Sequence, residues 1–342
     1  MTKTLLNLAG TLVGAALMLP AQTLINGAGA TFPAPMYTKW FSEYKKLHND
    51  IQFNYQPLGS GAGIKQVTEG TVDFGASDAL MTDAQISDFT AKQKTSILAL
   101  PTVAGAVVPI YNVPGVTGTI NFTGPMLADI FLGKITKWND PAIMKANPSM
   151  KLPGNDIVVV HRAEASGTTF CFTDYLAKVS PDWKSKVGAP NAAPNWPTGL
   201  GAKGSDGVAG QVKQTANSIG YVELVFAEQN KIGYGAVQNK DGKYVTASLA
   251  GITAAAAGAV KTMPEDFRVS IVDSPGGATY PISTFTWLLV PQDIKDPAKK
   301  AALKGFLTWM LKDGQNMTEA LSYAKLPKEV VAKEEKAIAK IK

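Results

Sequence analysis

Residues 23–47, TLINGAGATFPAPMYTKWFSEYKKL, carry the reading that decides the fold. Thr23 to Asn26 is a strand-like run, and Gly27-Ala28-Gly29-Ala30-Thr31-Phe32-Pro33 is a glycine turn. A helix is expected next, because Pro33 and Pro35 fit a first turn and Met36, Trp40, Phe41, Tyr44 and Leu47 recur at helical spacing. The same grammar repeats. Ile51, Phe53 and Tyr55 alternate with Gln52, Asn54 and Gln56, after which Gly59-Ser60-Gly61-Ala62-Gly63 leads into a short helix ending near Gly70. Val72 to Ser77 reads as a further strand, closing on Asp78. Ile157 to His161 reads as a fourth, followed by Arg162-Ala163-Glu164-Ala165-Ser166-Gly167-Thr168 and the amphipathic run Thr169 to Val179. Strands alternating with helices define an α/β protein.

Beyond these units, Gly188 to Gly210 is rich in Gly, Pro and Asn and is expected to be an ordered loop region, with Trp196 to bury. Asp241-Gly242 signals a hairpin between Gly233–Val237 and Tyr244–Ala247. Thr284 to Val290 reads as a buried strand and Pro297 to Leu311 as a helix. Lys333 to Lys342 alternates in sign and reads as a solvated helix face.

The chain has 342 residues, 45% hydrophobic and 18% charged, enough for one large or two ordinary domains. Its formal charge of +6 is scattered, with no Lys/Arg block interleaved with aromatics, which argues against a nucleic-acid surface. Residues 1–22 read as an export signal: Lys3 supplies the positive start, Leu5 to Leu19 the apolar stretch, and Pro20, Ala21 and Gln22 a small or turn-forming end, with cleavage after Ala21. No later run approaches the ~20 apolar residues of a membrane span. Cys171 is the single cysteine, so disulfides, Cys-based metal sites and a lipid-anchoring Cys are not expected.

Glycine stands beside Ser or Thr at three strand-to-helix junctions, Gly27–Phe32, Gly59–Gly63 and Ser166–Thr168. There a helix offers unpaired N–H groups and partial positive charge, glycine admits a ligand to the backbone, and hydroxyls add donors, which together describe an anion cradle. Each junction alone reads better as a cap or tight turn, and it is three in one chain, with Arg162 just ahead of the third, that favour the cradle. Arg162, four residues ahead of Ser166, can bring its planar fork to an oxyanion at that helix start, or pair with Glu164 at the surface. Asp78 ends a strand where open α/β sheets place ligands, or caps the next helix. Enzyme constellations are absent from the pattern. His48 and His161 are far apart, there is no Gly-x-Ser-x-Gly elbow, the Gly59–Gly63 loop lacks the Lys-Ser/Thr ending of a nucleotide loop, and no metal-ligand cluster is legible.

At these same residues the sequence resembles the phosphate-binding proteins of bacterial ABC-type high-affinity phosphate uptake, a family of periplasmic substrate-binding proteins. The matching blocks are Gly27–Tyr37, Gly59–Gln66, Phe74–Asp78, Asp129–Asp140, Arg162–Phe170, Trp196–Gly210 and Ser218–Glu223, spread over the whole mature chain. The resemblance implies the two-lobed periplasmic-binding-protein (type II) fold, with hinge crossover strands near residues 105 and 282. Lobe I would comprise residues 23–105 and 283–342, and lobe II residues 106–282. Phosphate would then be bound by Thr31 (backbone and hydroxyl), the Phe32 N–H, Ser60 (backbone and hydroxyl) and the Asp78 acceptor from one lobe. Arg162, Ser166, Gly167 and Thr168 would come from the other. Glu164 stands where many relatives carry an Asp that pairs with the binding Arg, Ala165 where Gly is common, and Ala79-Leu80 where a Pro-containing pair is frequent.

The expected function is capture of inorganic phosphate outside the cytoplasmic membrane and delivery to the permease subunits of an ABC transporter, by a monomer with no cofactor, no metal and no enzymatic activity. Without a lipid-anchor Cys the place expected is a periplasm. A binding protein for another tetrahedral oxyanion such as sulfate is one alternative, and Asp78 stands against it, because a buried acceptor is useful only to a ligand that carries a proton. A secreted phosphatase on the same scaffold is the other.

Overall fold

The computed structural model describes residues 22–342; the export signal read over residues 1–22 and its cleavage after Ala21 fall on a segment that lies, up to residue 21, outside the described residues. The chain opens with β1 (Thr23–Gly29), α1 (Ala34–Leu47), β2 (Ile51–Gln56), α2 (Ser60–Glu69), β3 (Phe74–Ser77), α3 (Asp83–Gln93) and the long β4 (Ile97–Asn112). A second group follows: β5 (Asn121–Phe122), α4 (Gly124–Phe131), α5 (Pro141–Ala146), β6 (Val158–Arg162), α6 (Gly167–Val179), α7 (Pro181–Lys186), β7 (Leu200–Ala202), α8 (Gly204–Gln214) and β8 (Ser218–Glu223). Then come α9 (Leu224–Asn230), β9 (Gly233–Tyr234), β10 (Ala236–Gln238), β11 (Tyr244–Val245) and α10 (Leu249–Ala259). The chain ends with β12 (Ser283–Pro291), α11 (Pro297–Lys312) and α12 (Lys328–Ala339).

The strands order as β2-β1-β3-β12-β4-β8-β6-β7, with β9 also on β4, and β11-β10-β5 form a separate small sheet. β1 runs parallel to β2 and β3, and β6 parallel to β7 and β8, as connections through helices require. β4 and β12 are antiparallel and buried almost throughout, which suits their mostly apolar sequence. The architecture pivots on β4. Its first part pairs with β12 from Ile97↔Pro291 to Ala106↔Ser283, and its second part pairs with β8 from Val107↔Glu223 to Asn112↔Ser218. One continuous strand thus belongs to two helix-flanked α/β units, and the change of partner falls between Ala106 and Val107.

Local chemistry explains the helices that matter. α1 carries Pro35 in its first turn and buries Met36, Tyr37, Trp40, Phe41 and Tyr44 on one face. Gly70 takes the left-handed conformation (φ 69°) and stops α2. The Asp241-Gly242 turn, with Gly242 at φ 78°, does join antiparallel β10 and β11.

Two sequence expectations are corrected. Residues 188–210 are not all loop: β7 pairs with β6, and α8 begins at Gly204, whose φ of 74° turns the chain into the helix. The helical signal was Val208, Ala209 and Val212, all buried, in a segment whose glycines read as loop. Trp196 is packed as expected, stacked on His161 with centroids 4.8 Å apart. The C-terminal helix is not simply a solvated face either. Val330, Glu334, Ala337 and Ile338 are buried along one side of α12, and the alternating charges occupy the rest.

Candidate functional site

The starts of α1, α2 and α6 converge where the two α/β units meet. Thr31 and Phe32 precede α1, Ser60 is the first residue of α2, and Ser166 caps α6 ahead of Gly167 and Thr168. Thr31, Phe32, Ser60, Asp78, Arg162, Ser166 and Thr168 are all buried. The convergence is physical contact. The Gly167 N–H of the second unit donates to Ser60 Oγ of the first at 3.0 Å, and the Gly61 N–H donates to the Ala165 carbonyl at 3.0 Å. A Cβ on Gly167 would lie 2.6 Å from Asp78 Oδ2, so glycine is required for this approach. At Gly61 a Cβ would lie 2.5 Å from the Ala165 methyl, so the glycine on one wall makes room for the alanine on the other.

Asp78 does not cap a helix; Thr82 caps α3 through a reciprocal bond with Gln85. The Asp78 carboxylate instead accepts from Thr286 Oγ1 at 2.8 Å through Oδ1, while its backbone N–H donates to Ser60 Oγ at 3.2 Å. Burial pushes the Asp78 carboxyl up to about 7, against the opposing pull of the Thr286 bond, the Arg162 charge and Ser60. Thr286 belongs to a buried network. Tyr37 bonds to Thr102 Oγ1 at 3.0 Å, and Thr102 donates to the Thr286 carbonyl at 3.2 Å.

Arg162 is the cation of the opposite wall. Its Nε donates to Glu164 Oε1 at 2.9 Å, and Nη2 bonds to the same oxygen. The added methylene of Glu164 over Asp therefore does not break the pair. Glu164 also accepts from the Gly204 N–H at 3.1 Å, placing its charge at the start of α8 where the helix dipole favours it. Arg162 Nη1 donates to Thr168 Oγ1 at 3.3 Å and to Ser205 Oγ at 3.4 Å. Ser166 Oγ accepts from the Thr169 N–H at 3.1 Å, which leaves its hydroxyl hydrogen to give.

All eight expected binding residues and Glu164 are thus brought to one place. Sequence reasoning missed four others. Ser205 hydrogen-bonds Thr31 Oγ1 at 2.9 Å, and Gly204-Ser205 carries the same glycine-hydroxyl signal as the three junctions. Thr286 and Thr102 sit inside apolar strands and gave no signal. Tyr323 donates to the Phe32 carbonyl at 2.6 Å and so anchors the Phe32–Pro33 peptide, next to the Phe32 N–H expected as a donor. Among the described residues no group of three or more His, Cys, Asp or Glu could hold a metal, and no helix is long and apolar enough to cross a membrane.

A site enclosed between two α/β units that share crossing strands defines a two-lobed solute-binding protein, and the model of the PBP superfamily domain matches residues 18–314. The chain is 42% identical to the phosphate-binding protein PstS of Pasteurella multocida over 334 residues, covering 97% of this chain and 94% of that protein. It is also 42% identical to the PstS of Xylella fastidiosa over 308 residues, covering 90% and 82%. The chain belongs to the PstS phosphate-binding protein family. The solved phosphate-binding protein of Stenotrophomonas maltophilia shares the fold at 21% identity, with a TM-score of 0.72 over 92% of this chain and 94% of that one.

Proposed function

We propose that this protein binds inorganic phosphate in the cleft and hands it to the membrane permease of an ABC transporter. Thr31, Phe32, Ser60, Arg162, Ser166, Gly167 and Thr168 serve as donors, Asp78 is the one acceptor, and Glu164 holds Arg162. The observation that carries this reading is Asp78, a buried carboxylate whose Oδ1 is committed to Thr286 at 2.8 Å, placed among donor groups on the side facing Gly167. An anion site with a built-in acceptor fits an oxyanion that still bears a proton, and neutral-pH phosphate is one. Lobe I is read as residues 23–105 and 283–342 and lobe II as 106–282. The change of partner along β4 between Ala106 and Val107 supports that division.

The protein works as a monomer in a periplasm, and the PstS names of its relatives support a binding protein rather than a phosphatase. Phosphate stabilises the closed form by its better contacts there, since only differential affinity can shift an equilibrium. Calorimetric titration with phosphate and with sulfate tests the reading. Phosphate should bind and sulfate should not compete. X-ray scattering should show a smaller radius of gyration with phosphate than without, and steady phosphomonoester turnover would favour the enzyme reading.

A further inference from the structure

We infer that Ser205 is a positioning residue of the anion site, the middle of a hydroxyl relay from Arg162 to Ser205 to Thr31 that forms only when the lobes are shut. The inference rests on the phosphate-binding reading above and extends it to a residue outside the expected binding set.

Ser205 is the second residue of α8 and is fully buried. Its hydroxyl lies 2.9 Å from Thr31 Oγ1, which comes from the opposite lobe, and 3.4 Å from Arg162 Nη1 of its own lobe. Donor chemistry sets the direction. A guanidinium can only donate, so Ser205 Oγ accepts from Arg162. If Ser205 also accepted from Thr31, its own hydrogen would be left without a partner in a closed interior, which is unfavourable. The hydrogen therefore goes to Thr31 Oγ1, and Thr31 in turn must aim its single hydrogen elsewhere, into the cleft. The relay converts a hydroxyl that could point either way into a fixed donor toward an anion. The start of α8 is itself fixed, because Glu164 accepts the Gly204 N–H at 3.1 Å while clamping Arg162 Nε at 2.9 Å. One carboxylate thus holds both Arg162 and the helix start that carries Ser205.

The consequence is coupling between residues 174 positions apart. Ser205→Ala should weaken phosphate binding about fivefold to tenfold, the scale of one net hydrogen bond, chiefly by faster dissociation because the contact exists only in the shut form. Thr31→Val should lose about tenfold or more on the same grounds. The decisive measurement is the double-mutant cycle by calorimetry, with stopped-flow dissociation rates. The Ser205→Ala/Thr31→Val protein should bind like Thr31→Val alone, to within about twofold, because the relay has nothing left to orient. Melting of each ligand-free variant identifies any that fail to fold, and Ser205→Cys, nearly equal in size but a weak hydrogen-bonder, then takes the place of Ala and should show the same coupling. Losses that multiply in the double variant, or a Ser205→Ala protein that titrates like the parent, would overturn the relay while leaving phosphate binding intact. Failure of the unmodified protein to bind phosphate would remove both readings.

Discussion

The two walls of the cleft treat their carboxylates in opposite ways. On the first lobe Asp78 is buried beside hydroxyls, with one oxygen taken by Thr286, and burial raises its carboxyl to about 7. On the second lobe Glu164 spends its oxygens on Arg162 and on the Gly204 N–H at the start of α8. One carboxylate keeps an oxygen uncommitted, and the other is consumed in holding a cation. The difference teaches that a carboxylate is open to a ligand where its partners leave it unsaturated and closed to one where they saturate it.

The sharpest break in this comparison is Asp78→Asn. A required hydrogen bond can discriminate by about 10⁴–10⁵-fold, so sulfate should compete negligibly with phosphate in the unmodified protein. Asn removes the charge and offers an N–H, so the gap should contract by at least about a hundredfold even where phosphate binding survives. Both proteins are titrated with both anions at one ionic strength, so that screening is not read as selectivity. Comparable phosphate and sulfate affinities before mutation would take Asp78 out of its role.

On the opposite wall, Arg162→Ala removes the buried cation that would face the anion, and truncating one member of a buried charge pair costs about 2–5 kcal/mol, or roughly a few hundredfold in affinity at the middle of that range. Arg162→Lys should lose less, since a point charge replaces a fork. Parent-like titration of both variants would make Arg162 only a partner for Glu164. Gly167→Ala tests the contact between the walls. Its methyl would press on Asp78 and Ser60, and overpacking of about 1–3 kcal/mol predicts roughly a tenfold to hundredfold loss together with failure of phosphate to reduce the radius of gyration. Closure at full affinity would show that the lobes meet less tightly than the Gly167 to Ser60 bond of 3.0 Å requires.

The smallest expected effect is on pH. Because the Asp78 carboxyl is raised from 3.8 to about 7, the folded protein keeps a proton that the unfolded chain has released. That stabilisation is fully present below about pH 4 and is lost as pH rises through about 7. Thermal melting of the ligand-free protein should therefore show stability falling between about pH 4 and pH 7, and Asp78→Asn should flatten that fall. A parent profile that Asp78→Asn leaves unchanged would place the titration of Asp78 outside this window.

The sequence by itself determined the α/β alternation and pointed to nearly the whole proposed binding set, because helix starts, glycine turns and terminal hydroxyls are local features written within a few residues. Gly27–Pro33, Gly59–Gly63 and Arg162–Thr168 were legible for that reason, and the block resemblance assigned their roles. Only the tertiary structure decided what those groups lean on. Thr286 reaches Asp78 across 208 residues, Tyr323 reaches Phe32 across 291, and Ser205 reaches Thr31 across 174. No local pattern encodes such partners. They are set by the order of strands and by the closing of one lobe on the other, which bring a hydroxyl from an apolar strand or a glycine-rich segment to within a hydrogen bond of a residue it could not otherwise meet.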